Sequence, residues 1–433
     1  MKKLYTLYIL ILTQGLSLIG SRMTGIALGI WLFQEKGSTT YLLLVPFFNE
    51  LPPMLVGSLT GVLVDRWPRK LALIVGDAGQ AAGTLLLLMS LATGRFEVWH
   101  LYVVVTLQGI FSMLQGPAAN ATTTLLVPEK QRERANAIKE MTFPVAGVLA
   151  PILSGLLYTF VGIQGVILID LTTFVISVFV LLLMHIPEPQ VTAVSKEYGG
   201  SFWKEVMGGF RYLFHRKPLF GLVTYYMFTN FLLNGPLELV IPYLIRITNS
   251  EKITTILLGV MSGGAFMGSM LIALWGGTRP RIHTLMGGMI LNGLMLMVFG
   301  VVRTPFLLAG SLFLLMMPLS IGNVLTMSIL QIKTPEDMQG RMFAAFSQMS
   351  YVTTPISFLL TGQLIDKVLE PAIGQSGWKF VEWIFGERLG AGMGLLLTTT
   401  GILILISTIF VYGMQSIRKL EKELPDYKGL EEE

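Results

Sequence analysis

Twelve apolar segments, each long enough to cross a lipid bilayer, leave this chain very few folds to choose from. They run over residues 5–34, 40–64, 70–93, 98–126, 136–161 and 164–186, and then over 218–247, 253–276, 282–302, 305–332, 338–366 and 390–416. A helix rises about 1.5 Å per residue, so about 20 apolar residues match a hydrocarbon core about 30 Å thick. Within that core every backbone N–H and C=O must be satisfied inside the chain, which a helix does unaided. Charge agrees: 13% of the residues are charged, against about a quarter in soluble domains, and the mean hydropathy is +0.67. The pattern predicts an all-α membrane protein with twelve transmembrane helices in two pseudo-symmetric six-helix bundles. The bundles occupy 1–186 and 218–433, the second with a C-terminal tail, and a polar linker, 187–217, joins them.

The two halves are related in sequence. Pro128-Glu129 followed by Arg134 precedes the fifth segment, and Pro335-Glu336 followed by Arg341 precedes the eleventh; Gly155 and Gly362 follow at the same separation. Parallel repeats of this kind put a substrate site near the midplane at their interface. Most of the 31 Lys and Arg fall in alternate loops, among them Lys2, Lys3, Lys130, Arg132, Arg279, Arg281 and Lys333. That excess marks the cytoplasmic side, so a multi-pass protein of the cell membrane with both termini in the cytoplasm is expected. No small-residue cleavage site follows Met1-Lys2-Lys3, so the first segment reads as an uncleaved span. In the linker, Phe202, Val206, Phe210 and Leu213 recur at helical spacing beside Lys204, Arg211, Arg216 and Lys217. This predicts an amphipathic helix on the membrane surface, a docked protein being the other reading. Trp378, Phe380, Trp383 and Phe385, in the outer segment 367–389, either sit in the interface or fold over an opening.

Ionisable residues inside spans are functional candidates by default. Arg22, Glu50, Asp170 and Glu238 lie within the predicted spans. Arg22 and Glu50 reach similar depth on neighbouring helices and are expected to pair, either as a fixed tie or as a coupled one. Glu238 lies between Pro236 and Pro242, whose missing N–H donors loosen the helix; buried there, it is a proton site or an acid that only tunes packing. Asp170 reads as structural. Gln108, Gln115, Asn234 and Asn323 are further cavity candidates, and a wall rich in Met (24) and Phe (25) suits amphipathic substrates better than sugars. Catalysis is not indicated. His100, His185, His215 and His283 are isolated, there is no cysteine, no phosphate-binding loop and no nucleophile elbow, so no enzyme, metal site or cofactor is expected. Basic loops explain the net charge of +5 without nucleic acid.

The most specific stretch is Gly57-Ser-Leu-Thr-Gly61-Val-Leu-Val-Asp65-Arg66-Trp-Pro68-Arg69-Lys70. Gly57 and Gly61, one turn apart, permit close helix approach, and an acid at a span's end needs water, a cation or a helix N-terminus. The order resembles the loop signature of the major facilitator superfamily, with Pro68 where a glycine is usual. Leu126-Val-Pro128-Glu129 and Ile169-Asp170 are similar to the branch that contains macrolide efflux proteins and the enterobactin exporter. The resemblance implies a secondary transporter working by alternating access, a proton-coupled exporter of amphipathic drug-like or siderophore-like small molecules. Its expected partners are that substrate, protons and membrane lipids, and it is expected to be a monomer. It also implies a gating motif of Gly61, Asp65, Arg66, Arg69, Lys70, Arg134 and Arg341, in which Asp65 meets the start of the eleventh helix near Gln339 to Met342. Gly147 to Gly155 resembles the antiporter motif of the fifth span. Gln108 stands where the family has a fourth-span arginine tied to proton coupling, which leaves Arg22 as a substitute cation. A lipid or lysophospholipid carrier and a non-transporting sensor of the same fold are the rival readings.

Overall fold

The computed structural model describes residues 2–36, 39–188 and 201–427, and their regular structure is entirely helical. The first half contains α1 (Lys2–Lys36), α2 (Thr39–Arg66), α3 (Arg69–Ala92), α4 (Val98–Leu126), the short α5 (Arg132–Glu140) and α6 (Thr142–Leu183). The linker contributes α7 (Phe202–His215). Then come α8 (Lys217–Glu238), α9 (Val240–Thr248), α10 (Glu251–Trp275), α11 (Arg281–Val301), α12 (Pro305–Ile332), α13 (Gln339–Tyr351), α14 (Thr354–Leu364) and α15 (Ala391–Gly413).

Twelve spans follow from these helices. The 42-residue α6 is two spans meeting at Gly162, whose φ of 64° and ψ of −173° only glycine adopts readily. α8 and α9 form one span that breaks at Leu239, between Pro236 and Pro242, where two N–H donors are missing. α13 and α14 form another, parted at residues 352–353. Nine stretches of the described residues are long and apolar enough to cross a membrane on length and composition alone.

Packing divides the chain into two compact units. The first holds Met1–His215, Leu330–Gln348 and the segment that starts at Asp426; the second holds Arg216–Ile329 and Met349–Pro425. In the first unit, small residues let helices touch at the backbone. A Cβ on Gly20 of α1 would stand 2.9 Å from Asp170 Oδ1 on α6, and one on Gly109 of α4 would stand 2.3 Å from the Asn49 carbonyl of α2. Leu10, Val64, Leu73, Leu114 and Leu181 close the core between these helices.

In the second unit α11 and α15 meet through Gly293 and Gly300 facing Gly401 and Gly394; a Cβ on Gly401 would stand 2.6 Å from the Gly293 carbonyl. Arg303, just past the end of α11, ties this pair to its neighbours, donating to Tyr243 Oη at 2.7 Å and to the Phe385 carbonyl at 3.3 Å. The aromatic residues of 367–389 divide into two sets. Trp378 and Phe385 are buried in a small core, whereas Phe380 and Trp383 are 85% and 81% exposed on the helix Lys379–Phe385.

Candidate functional site

The richest polar cluster surrounds Asp65, in the first unit. α2 carries its apolar run to the Asp65-Arg66 pair, and Trp67-Pro68 turns the chain into α3. The Asp65 side chain is 4% exposed. Its Oδ1 accepts from the Gly340 amide (2.8 Å) and from Arg69 Nη2 (2.8 Å), and its Oδ2 accepts from the Arg341 amide (2.8 Å) and Arg341 Nε (2.9 Å). The two amides belong to the first turn of α13, where helix N–H groups have no partner of their own and the dipole favours an anion. Two guanidinium groups add charge-assisted bonds.

Glycine is required on both sides of this contact. A Cβ on Gly340 would stand 2.4 Å from Asp65 Oδ1, and one on Gly61 would stand 2.7 Å from the Gly340 carbonyl. Gly340→Ala is therefore expected to displace the carboxylate at a cost of about 1–3 kcal/mol, the usual penalty for overpacking. A lower unfolding temperature in detergent would report it. Gly362→Ala, with nothing within 4 Å of the new Cβ, is the matched control and should leave the transition in place.

The neighbouring basic residues each hold a different element. Arg69 is buried and also donates to the carbonyls of Val64 and Glu336. Lys70 Nζ caps the end of α6 through the carbonyls of Leu182 (2.6 Å) and Met184 (2.9 Å). Arg66 pairs with Glu205 of α7 at 2.7 Å and lies over the Phe202 ring. Arg134 does not join them. It is exposed on α5, and the buried arginine of that helix is Arg132, which donates to the Gln331 carbonyl at 3.3 Å. The Gln331 side chain bonds the Asn120 carbonyl (3.0 Å) and Asn136 (2.8 Å), and Gln339 Nε2 donates to the Gln331 carbonyl (3.1 Å). Asn136 and Gln331 were not singled out from sequence, Arg132 was read only as a loop charge, and Gln339 only as the start of the eleventh helix.

A second cluster lies within the helices of the first unit, around Asp77 of α3, another residue that sequence reading passed over. Its carboxyl is wholly buried. It accepts from Gln14 Nε2 of α1 (2.8 Å), Ser177 Oγ of α6 (2.7 Å) and Gln115 Nε2 of α4. All three donors are neutral. An aspartate inside an otherwise apolar run, Gly76-Asp77-Ala78-Gly79, was the available signal.

The remaining candidates scatter. Arg22 donates to the Phe143 carbonyl at 3.3 Å and lies over the Phe143 ring; the side chain of its expected partner, Glu50, lies outside the described residues. Asp170 is buried and accepts from Ser21 Oγ at 3.3 Å, a tie between α6 and α1. Gln108 donates to Thr84 Oγ1 at 3.0 Å, joining α4 to α3. In the second unit Asn234 donates to Thr354 Oγ1 at 2.9 Å, and Asn323 is exposed on α12. Glu238 stands at the last position of α8, where the loosening expected between Pro236 and Pro242 is present as the break at Leu239; its side chain is exposed, not buried as expected.

The sequence profile of the Major Facilitator Superfamily matches residues 10–358. The chain belongs to this superfamily. It is 26% identical to macrolide efflux protein A of Streptococcus pyogenes over 427 residues, 97% of each chain. To the enterobactin exporter of Shigella flexneri it is 25% identical over 346 residues, 78% of this chain and 79% of that one. Among solved structures it matches the E. coli fucose:proton symporter with a TM-score of 0.69 at 13% identity, covering 96% of this chain and 100% of that one. A bacterial homologue of the iron transporter ferroportin, in an outward-facing state, matches with a TM-score of 0.68 at 15% identity over 94% and 100%. At such identities the structural matches speak for the superfamily fold alone. The protein is a multi-pass membrane transporter of the twelve-span superfamily type.

Proposed function

We propose that this transporter is a proton-driven exporter of amphipathic small molecules, drug-like or siderophore-like, at the cell membrane. Both termini lie in the cytoplasm and the monomer works by alternating access. The observation that carries the reading is the Asp65 cluster. Six atoms of a carboxylate, two guanidinium groups and a helix start satisfy one another while they touch, and need water when they part. That makes a contact with two stable conditions, made or broken, which is what a gate on the cytoplasmic side requires. Export is supported by the relatives named for macrolide efflux and for enterobactin.

Gln108, tied to Thr84, supplies no cation for the family's proton relay. Asp77 is the acid best suited to take that part. It sits among neutral donors from three other helices, so gaining or losing a proton changes which of them it can hold.

Uptake into inverted vesicles, acidified inside, tests the reading with macrolides, siderophores and hydrophobic dyes. Accumulation of at least one class that collapses when the gradient is dissipated is expected. Uptake of every class at a rate blind to the gradient would overturn proton-driven export.

A further inference from the structure

The linker helix α7 has two working faces, and one of them lies on the Asp65 cluster. Val206, Gly209, Tyr212 and Leu213 are buried. Tyr212 Oη donates to the Lys333 carbonyl at 2.6 Å, and a Cβ on Gly209 would stand 2.3 Å from the Arg341 carbonyl. Glu205 and Phe202 receive Arg66, the residue next to Asp65. α7 thus touches both halves of the contact: the end of α2 and the first turn of α13.

On another side of α7, Trp203, Met207 and Phe214 are exposed and line up with the half-buried Phe210 at i, i+4, i+7 and i+11, a single stripe along the helix. Lys204, Arg211 and His215, all exposed, border that stripe on one edge. Arg216 alone separates α7 from Lys217, where a membrane-spanning stretch begins. One residue is too short a tether for α7 to leave the bilayer surface. An apolar stripe edged with basic residues at that depth matches the boundary between acyl chains and anionic headgroups.

We infer that α7 is a lipid-reading strut. Its Trp203–Phe214 stripe seats in the leaflet at that surface, Lys204 and Arg211 bind anionic headgroups, and the seated helix holds the Asp65–Arg341 contact through Gly209 and Arg66. The cytoplasmic assignment of this leaflet rests on the orientation proposed above; the contact between lipid and strut does not.

The chain has no cysteine, so single thiols report without background, and neither readout needs a substrate. Full-length protein carrying Thr334→Cys, a buried position between α12 and α13, is reconstituted in phosphatidylcholine alone or mixed with phosphatidylglycerol. Thiol labelling then reports how often this region opens. Anionic lipid is expected to slow labelling on the order of tenfold, since Lys204 and Arg211 are both drawn to a negatively charged surface. Adding Lys204→Gln and Arg211→Gln, both at exposed positions, should erase the difference. A bimane on Met207→Cys should be quenched by lipid-borne quenchers. Equal labelling in both lipids, a lipid effect that survives the double substitution, or a bimane that lipid quenchers cannot reach (as when another protein covers the stripe) would each overturn the inference.

Discussion

Asp65→Asn is expected to reduce the initial rate of substrate transport by at least about tenfold while the protein still inserts and folds. Four donors converge on this carboxylate, two on each oxygen. An amide offers one accepting oxygen and turns an NH₂ group towards two of the donors, so that side of the contact becomes repulsive. Arg69 and Arg341 are both buried and would keep their charges without the acid. Removing one partner of a buried ion pair costs about 3–5 kcal/mol. Every 1.4 kcal/mol is a factor of about ten in population, so even half of that cost depletes the closed contact by roughly tenfold or more. Thiol labelling at Thr334→Cys should accelerate in step with the loss of transport. Asp65→Glu tests geometry separately: it keeps the charge, but its extra methylene must fit between Gly61 and Gly340, whose backbones already exclude a Cβ. An Asp65→Asn protein with wild-type transport and wild-type labelling would remove this contact from the transport cycle.

What the sequence disclosed and what it hid follow from the kind of signal each residue leaves. Spans were legible because the bilayer demands a long apolar run, and Gly162, Pro236 and Pro242 mark where those runs break. The meeting of Asp65 with Gly340 and Arg341 joins positions far apart in sequence, and only resemblance could suggest it. Depth along a helix was readable at 1.5 Å per residue, but the side of the helix was not. The contact of Arg22 with Phe143 of α6 is one that depth alone did not suggest. The internal repeat pointed to Arg134 as the counterpart of Arg341, yet the opposite loop, Trp275-Gly-Gly-Thr-Arg279, has lost the acid. On α5, Arg132 and Asn136 share the buried face one turn apart, and Arg134, about 200° round the helix from Arg132, faces out. At Glu238 the break that Pro236 and Pro242 announce is present, and only the exposure of the acid was not legible. The amphipathic linker was plain from its periodicity, but a hydrophobic pattern cannot say which stripe is buried against protein and which stays exposed.

Asp77→Asn should abolish accumulation of substrate against its gradient and leave exchange of labelled for unlabelled substrate intact. The substitution keeps the size of the side chain and one accepting oxygen. Around it, the amides of Gln14 and Gln115 can turn their oxygens inward, and the Ser177 hydroxyl both donates and accepts. The four helices that meet there, α1, α3, α4 and α6, therefore stay joined. What disappears is the capacity to change charge. Asp77→Ala would be less informative, since three buried donors would lose their acceptor at about 1–3 kcal/mol each and folding itself would suffer. Four charged groups described on these helices are engaged elsewhere: Arg22 with the Phe143 carbonyl, Asp170 with Ser21, Lys70 with the carbonyls of Leu182 and Met184, and Arg69 with Asp65. A proton taken up at Asp77 thus acts on its own three partners, and through them on the packing of α1 and α6 against α3. The pH profile of transport separates this role from a structural one. With Asp77 as the carrier, the wild-type rate varies with pH and the Asn variant responds little. If the variant still concentrates substrate and keeps the wild-type profile, the cluster is a tie between four helices and the proton crosses by another route.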